Sequence, residues 1–314
     1  MRQDFHIPPD LIRGPGLEDI ITLSGPANWG MNVFGLDQLR SISTGLGITV
    51  GVIDTGADKN HDVLRGQVVA AADFTGSPSG SADRNGHGTH CAGTVAGIDP
   101  EIGVAPGAKL AIGKALSDSG SGGGQGIADA MRWAVEQGAT ILSMSLGSSG
   151  PDPVIQAAAV ELAAKGIWIV AAAGNSGGGT PNVDFPGRFL ETISIAALDQ
   201  NLNVASFSSA GAKIDGSGPG VGIWSAKPGG GFQQMSGTSM ATPFIAGMLA
   251  LYRSGLAALG RAIPNVFDLR KLLASNALDV GTPGVDRRTG PGATWPLLLA
   301  NDLRKDFPKI EAAQ

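Results

Sequence analysis

Only four histidines, His6, His61, His87 and His90, are available for imidazole chemistry in this 314-residue chain. His6 lies in a Pro- and Gly-rich N-terminal stretch. His61 follows Asp58-Lys59-Asn60 in a polar run that predicts exposure. His87 sits near the start of NGHGTHCAGTVAG (85–97), whose small residues suit a buried helix. A base at a helix start, packed by Gly, Thr and Ala, is held rigidly in a cleft. Three readings of His87 and His90 compete. As metal ligands they lack the spacing and the glutamate of the H-E-x-x-H zinc pattern. As structural histidines they would bond to backbone. As a general base, His87 would use the near-neutral pKa of imidazole.

Asp54 and Ser239 supply what a histidine base would need. ITVGVIDTGAD ends an apolar run on Asp54. In an open α/β sheet, sites form at the carboxyl ends of strands. A carboxylate there fixes the tautomer of an imidazole and stabilises its charged form. The competing reading of Asp54 is a cap on the D-T-G turn. SGTSMATP (236–243) sets Ser239 at the mouth of an apolar helix expected over Thr242–Leu259, with Pro243 in its first turn. The hydroxyl would stand near the positive end of that helix. Taken alone, Ser239 reads first as a plain N-cap. A decoy lies at Gly174-Asn175-Ser176-Gly177-Gly178, which matches the G-x-S-x-G elbow. That elbow needs a histidine after its serine, and none follows His90. The order Asp54, His87, Ser239 has a different precedent among serine hydrolases.

The elements that must position these residues are read from apolar periodicity. Strands are expected at Ile48–Ile53, Lys109–Ile112, Thr140–Met144, Ile167–Ala172 and Thr192–Ala196. Helices are expected at Ile127–Gln137, Pro153–Lys165, Thr242–Leu259 and Val266–Asn276. Strands alternating with helices imply crossovers and a mostly parallel sheet. Continuously apolar strands imply helices on both faces, a three-layer α/β fold. Glycine-rich loops fall between elements, at Asp118–Gly126, Asn175–Gly179 and Lys227–Gly231. Residues 1–28 read as an extension and 29–314 as one domain, with weak patterning after Pro296. Net charge is −5 and no basic stripe is present, which argues against nucleic acid as partner. No apolar run is long enough to span a membrane. The single Cys91 rules out an intrachain disulfide and a cysteine-based metal site. It leans towards a reducing, cytoplasmic setting. The alternative is a secreted protein whose signal and prodomain lie outside this sequence.

Four motifs in register resemble those of the subtilisin-like serine proteases. They are VIDTG around Asp54, NGHGTHCAGT around His87, AAAGNSG around Asn175 and SGTSMATP around Ser239. The segment MRWAVEQGATILSMSLG also looks like the family's, and the resemblance runs from Trp29 to Thr289. It implies a serine endopeptidase with Ser239 as nucleophile, His87 as base, Asp54 as its orienting carboxylate and Asn175 as oxyanion donor. It implies polypeptide substrates, laid as an added strand between Gly120-Ser121-Gly122 and Ser145-Leu146-Gly147. The chemistry would need no cofactor. Oligomeric state is not addressed by any of these motifs.

Further expectations follow from the resemblance. Phe185-Pro186-Gly187 looks like the lining of the primary specificity pocket, which sets Asp184 at its floor. A carboxylate there would favour Lys or Arg before the scissile bond. The competing reading turns Asp184 to solvent or pairs it with Arg188. Cys91 matches a cysteine of the proteinase K type and reads as buried packing. The segment Gly97–Val104 is shorter than the calcium loop of many relatives, so the tight site there is expected to be missing. A weaker structural calcium site would draw on carbonyls near Gly187, Phe189 and Thr192 with Asp199. Its competing reading makes Asp199 a turn residue. IPPDL in the extension resembles the short inhibitory extensions of intracellular subtilisins.

Overall fold

The computed structural model describes residues 4–6, 12–13, 27–179 and 182–305. The chain begins with β1 (Asp4–His6), β2 (Ile12–Arg13), α1 (Trp29–Val33), α2 (Asp37–Arg40) and β3 (Thr49–Asp54). It continues through β4 (Val68–Asp73), α3 (His87–Ala96), β5 (Lys109–Lys114), β6 (Ser121–Gly123), α4 (Gly124–Glu136), β7 (Ala139–Met144) and α5 (Pro153–Ala164). Then come β8 (Trp168–Ala172), β9 (Thr192–Leu198), β10 (Gly216–Pro219), β11 (Ile223–Ala226), β12 (Phe232–Ser236) and α6 (Thr238–Ala258). The last elements are α7 (Val266–Ser275), β13 (Ala277–Leu278), β14 (Ala293–Thr294) and α8 (Pro296–Arg304).

Nine strands form the central sheet in the order β13-β14-β10-β9-β8-β7-β3-β5-β4. All neighbours are parallel except β13 and β14. The sheet divides two cores, and the strands alternate between them. Val50, Val52, Ile141, Trp168 and Val170 join the core that holds α3 and α6. Ile53, Leu142, Ile169 and Ala171 join the core that holds α4 and α5. This is the expected three-layer α/β arrangement, and it explains why these strands read as unbroken apolar runs. β3 lies between β5 and β7, where the strand order reverses. Its carboxyl end, Asp54, therefore opens onto the crevice that such a reversal creates.

Differences from the sequence expectation have local causes. β4 is half-exposed at the sheet edge, so its VVAAAD carries no strong pattern. β10 and β11 are four residues each, too short for periodicity to register. The tail carries a regular helix, α8. α6 starts at Thr238, four residues before the expected Thr242, so Pro243 stands inside the helix. Two pieces of the extension are strands. β1 pairs antiparallel with β6, and β2 pairs antiparallel with β12.

Candidate active site

The Asp54–His87 pair is made by two chain turns packed backbone to backbone. Asp54 ends β3 and His87 opens α3. A Cβ at position 88 would collide with the Gly56 carbonyl, so only Gly88 lets the first turn of α3 come this close. His87 Nδ1 then meets Asp54 Oδ1 at 2.7 Å, and the same oxygen accepts from Thr55 N at 2.7 Å. Asp83 ties the two turns together. Its carboxylate accepts from Thr55 Oγ1 (2.9 Å), Asn85 N (2.9 Å), Gly86 N (2.9 Å), Thr89 N (2.8 Å) and Thr89 Oγ1 (2.7 Å). Thr55 Oγ1 also accepts from Gly88 N at 2.9 Å. Neither Asp83 nor Thr55 stood out in the sequence. The available signal was the Asx turn that an aspartate makes with residues two and three positions on.

Burial and charge act on these groups in opposite directions. Burial alone would push the His87 pKa down, but the Asp54 carboxylate more than offsets it and holds the ring well above the ordinary histidine value. His90, one turn on, is fully buried and sinks to about 4 because burial dominates there. Its Nε2 lies 2.9 Å from the Ile223 carbonyl, so it is a structural histidine. Burial raises the Cys91 thiol. Its Sγ lies 3.8 Å from His87 Nδ1 and 3.6 Å from the Ser239 carbonyl.

Ser239 is held by a defect in its own helix. Proline has no N–H, so residue 243 cannot bond to the carbonyl of residue 239, four positions back. That carbonyl accepts from Ser145 Oγ at 2.7 Å instead. The helix start is thus pinned to the end of β7, where the chain leaves the sheet as Ser145-Leu146-Gly147. Ser239 Oγ points to the Ser145 carbonyl at 3.4 Å, longer than an ordinary O–H···O bond. Asn175 is fixed from the same helix start. Its Oδ1 accepts from Thr238 N (3.0 Å) and Thr238 Oγ1 (2.9 Å), while Thr238 Oγ1 accepts from Gly174 N (3.2 Å). Both donors face the amide oxygen, so the NH2 group is turned the other way. Thr238 was not foreseen, because a threonine beside the serine carries no signal of its own. Asn175 Nδ2 and His87 Nε2 are buried and make no hydrogen bond. They share this state with other buried atoms, among them Asp54 Oδ2 and His90 Nδ1, but Asn175 Nδ2 is a donor and His87 Nε2 a ring nitrogen on either side of Ser239's helix start.

Of the two expected substrate edges, the one that opens with Ser145 is bonded to the start of α6. Gly120-Ser121-Gly122 leads into β6, where Asp4, Phe5 and His6 pair with Gly123, Gly122 and Ser121. This edge therefore takes an antiparallel strand. Leu146 is buried in the second core, and Gly147 lies against Asp184. A Cβ at 147 would meet Asp184 Cβ at 3.0 Å. Ser148 and Phe185 exchange two backbone bonds of 2.9 Å, which sets the Asp184 segment beside the edge. Gly174, at φ +104°, lies against the Asp184 carboxylate. Arg188 stacks over the Phe185 ring at 5.4 Å.

One expectation is corrected. His61 is buried rather than exposed: its Nδ1 accepts from Val63 N at 3.2 Å and its Nε2 contacts the Gly231 carbonyl at 2.7 Å. Asp199 accepts from Asn201 N and Asn203 N, both at 2.9 Å, within its own turn. Among the described residues, Asp54, His87 and Cys91 form the one group of three metal-capable side chains, with ligand atoms within 4.8 Å. An ion there would have to break the 2.7 Å bond between His87 and Asp54.

The comparisons agree with this geometry. A family model described as "Subtilase family" matches residues 45–292. Subtilisin DY of Bacillus licheniformis is 39% identical over 259 residues, which cover 81% of this chain and 92% of that protein. Thermitase of Thermoactinomyces vulgaris is 37% identical over 262 residues, covering 82% of this chain and 88% of that protein. Alkaline elastase YaB of Bacillus sp. (strain YaB) is 42% identical over 237 residues, 74% of this chain but only 61% of that longer protein. With its family model spanning most of the sequence and its Asp54–His87 pair at the switch point of the sheet, the chain belongs to the subtilase family.

Proposed function

We propose that the protein is a serine endopeptidase that hydrolyses polypeptides through an acyl-enzyme. The observation that carries this reading is the pair of buried, unsatisfied groups, His87 Nε2 and Asn175 Nδ2, in a site that also holds Ser239. A turn about the Cα–Cβ bond of Ser239 moves Oγ from the Ser145 carbonyl to His87 Nε2. Such rotamer changes take picoseconds to nanoseconds. His87 takes the hydroxyl proton as Oγ attacks the scissile carbonyl, and later gives it to the leaving amine. Asp54 holds Nδ1 protonated and stabilises the imidazolium. Asn175 Nδ2 and the Ser239 N–H bind the oxyanion. Reaction with a fluorophosphonate probe tests the reading directly. One adduct on Ser239, lost in Ser239→Ala, is expected. A folded protein that stays unlabelled would mean a silent peptide-binding scaffold.

Two finer readings belong to the same site. Asp184 lies beside Gly147, on the second expected substrate edge, and beside Gly174, next to Asn175, which supports a role at the residue before the scissile bond. We infer a preference for Lys or Arg there. Matched peptides carrying Lys, Arg, Phe or Leu decide it, and equal or faster cleavage after Phe and Leu rejects it. The second concerns the extension. β1 lies on the β6 edge, and β2 lies on Met235 and Ser236, just ahead of Ser239. These backbone pairings support an extension that runs across the cleft and blocks it until removed. Deleting residues 1–26 is expected to raise kcat/KM. Unchanged rates and unchanged inhibitor binding would dismiss the idea.

A further inference from the structure

The loop where many relatives hold a tight calcium and the turn expected to carry a weaker site share one feature in this chain: a positively charged side chain already sits there. In the loop Gly97–Val104, the Arg40 guanidinium is the donor. Its Nε meets the Val104 carbonyl at 3.0 Å, its Nη1 the Pro100 carbonyl at 2.8 Å, and its Nη2 the Gly103 carbonyl. Asp99, the acid of this loop, accepts from Glu101 N at 2.9 Å, and its carbonyl accepts from Ile102 and Gly103. The loop's oxygens are therefore turned to protein donors.

The turn Pro186–Thr192 is built the same way. The Thr192 hydroxyl lies within reach of the carbonyls of Pro186 (2.9 Å), Gly187 (3.1 Å) and Phe189 (3.1 Å). Lys213 Nζ donates to the Thr192 carbonyl at 2.9 Å and to Asp215 Oδ2. Arg270 Nη2 donates to the carbonyls of Leu190 (2.7 Å) and Thr192 (3.0 Å), while its Nε donates to Asp215 Oδ1 at 2.8 Å. Ser194 N closes the shell on Asp215 Oδ2 at 2.9 Å. Calcium requires six to eight oxygens with free lone pairs at about 2.3–2.6 Å. Here the Leu190 and Thr192 carbonyls and both Asp215 oxygens already accept from Lys213 and Arg270, so a divalent ion could gain these ligands only by displacing the two cations and would meet their charge at close range. The residues do not fit the metal.

We propose that this chain carries its own cations at both positions, Arg40 in the Gly97–Val104 loop and Lys213 with Arg270 at the Pro186–Thr192 turn, and that its folded state does not depend on calcium. The test uses the full chain with Ser239→Ala, which prevents self-cleavage from confounding the melting curves. Melting in EDTA and in millimolar calcium at matched ionic strength should give the same Tm within about 1 °C. A site filled at a hundred times its dissociation constant would raise Tm by about 4 °C, and that result overturns the proposal. Lys213→Met keeps the length of the side chain and removes the charge. It should lower Tm by about 2 °C or more in EDTA, and an unchanged Tm overturns the assignment. Lys213→Ser with Arg270→Ser frees the Leu190 and Thr192 carbonyls and the Asp215 carboxylate. Calcium should then raise the Tm of the double variant, and no rise would mean that these oxygens are not a cation cage. Arg40→Met should likewise lower Tm by about 2 °C or more in EDTA, and should it fail to fold, the chelator comparison on the parent still tests both places together.

Discussion

Thr238 contacts Asn175 through its backbone N–H and its hydroxyl and Gly174 through the hydroxyl, so the direction of the proposed oxyanion donor depends in part on that hydroxyl. Thr238→Val keeps the shape and the backbone bond but removes that hydroxyl. Losing a buried hydrogen bond and stranding its partners costs about 1–3 kcal/mol. We therefore expect kcat to fall by roughly 10- to 100-fold with little change in KM, and Thr238→Ser to restore it. Asn175→Ala should lose about 100- to 1,000-fold, the size known for a single oxyanion donor in subtilisin. A rise in KM with kcat unchanged for Thr238→Val would mean that the hydroxyl serves substrate binding. His87 sets the pH dependence. Its neutral form is the base, and its pKa is raised, so activity should fall with acid at a pH above the ordinary histidine value of 6.5. An acid limb of kcat/KM at or below that value would contradict the charge balance described for the Asp54–His87 pair. Cys91 is buried and its thiol is raised, so Ellman's reagent should react far more slowly with the folded than with the unfolded protein. Because Sγ lies 3.8 Å from His87 Nδ1, any adduct should abolish activity in step with modification. Full activity after complete modification would sink that prediction. The sequence singled out Asp54, His87, Asn175 and Ser239 as candidates because their types are rare or sit in dense motifs. It could not name Thr238, Thr55 or Asp83, since hydroxyls and carboxylates are common and only their partners give them a role.

α3 puts two histidines of opposite behaviour three residues apart, and their stability effects fall in separate pH windows. His90 sinks to about 4 in the fold, against an ordinary 6.5 when unfolded. The unfolded chain therefore binds this proton first, and stability is lost as pH falls from 6.5 towards 4. A shift of this size, at 1.36 kcal/mol per unit, is worth about 3 kcal/mol. His87 acts the other way. Its raised pKa adds stability that is fully present below 6.5 and is lost as pH rises through the folded value. Urea unfolding of the Ser239→Ala protein between pH 4 and 6.5 should show a slope that flattens in the added presence of His90→Gln. An identical slope would mean that His90 is charged or exposed in the fold. Helix α3 itself was legible as a run of small residues, and β3, β5, β7, β8 and β9 as continuous apolar runs, because burial on both faces leaves no polar alternation. The start of α6 was misread by four residues. Pro243 looked like a first-turn proline, but its missing N–H frees the Ser239 carbonyl for Ser145 Oγ. That function of a helical proline depends on a distant strand and is invisible in local sequence. The same holds for β4 and β11, whose pairing partners, rather than their own composition, make them strands.

At the scale of the molecule, the extension touches two different sheets. β1 makes a two-stranded sheet with β6, and β2 completes a three-stranded sheet with β11 and β12. Each contact is only two or three residue pairs, too few to hold a free peptide firmly. Covalent linkage changes that balance. A tethered segment sees its site at an effective concentration in the millimolar range, with no new contact needed. If the extension inhibits, it should therefore do so within its own molecule. The specific activity of the full chain should stay constant on dilution, since dissociation of a second copy plays no part. A synthetic peptide of residues 1–13 added to the chain lacking residues 1–26 should inhibit again, but only at concentrations of about micromolar to millimolar. Competition with a substrate should be complete, because β6 and Ser236 would serve both. Activity that rises on dilution of the full chain would point to inhibition between molecules. A peptide that inhibits without competing with substrate would mean that the two strand pairings lie beside the working cleft rather than across it.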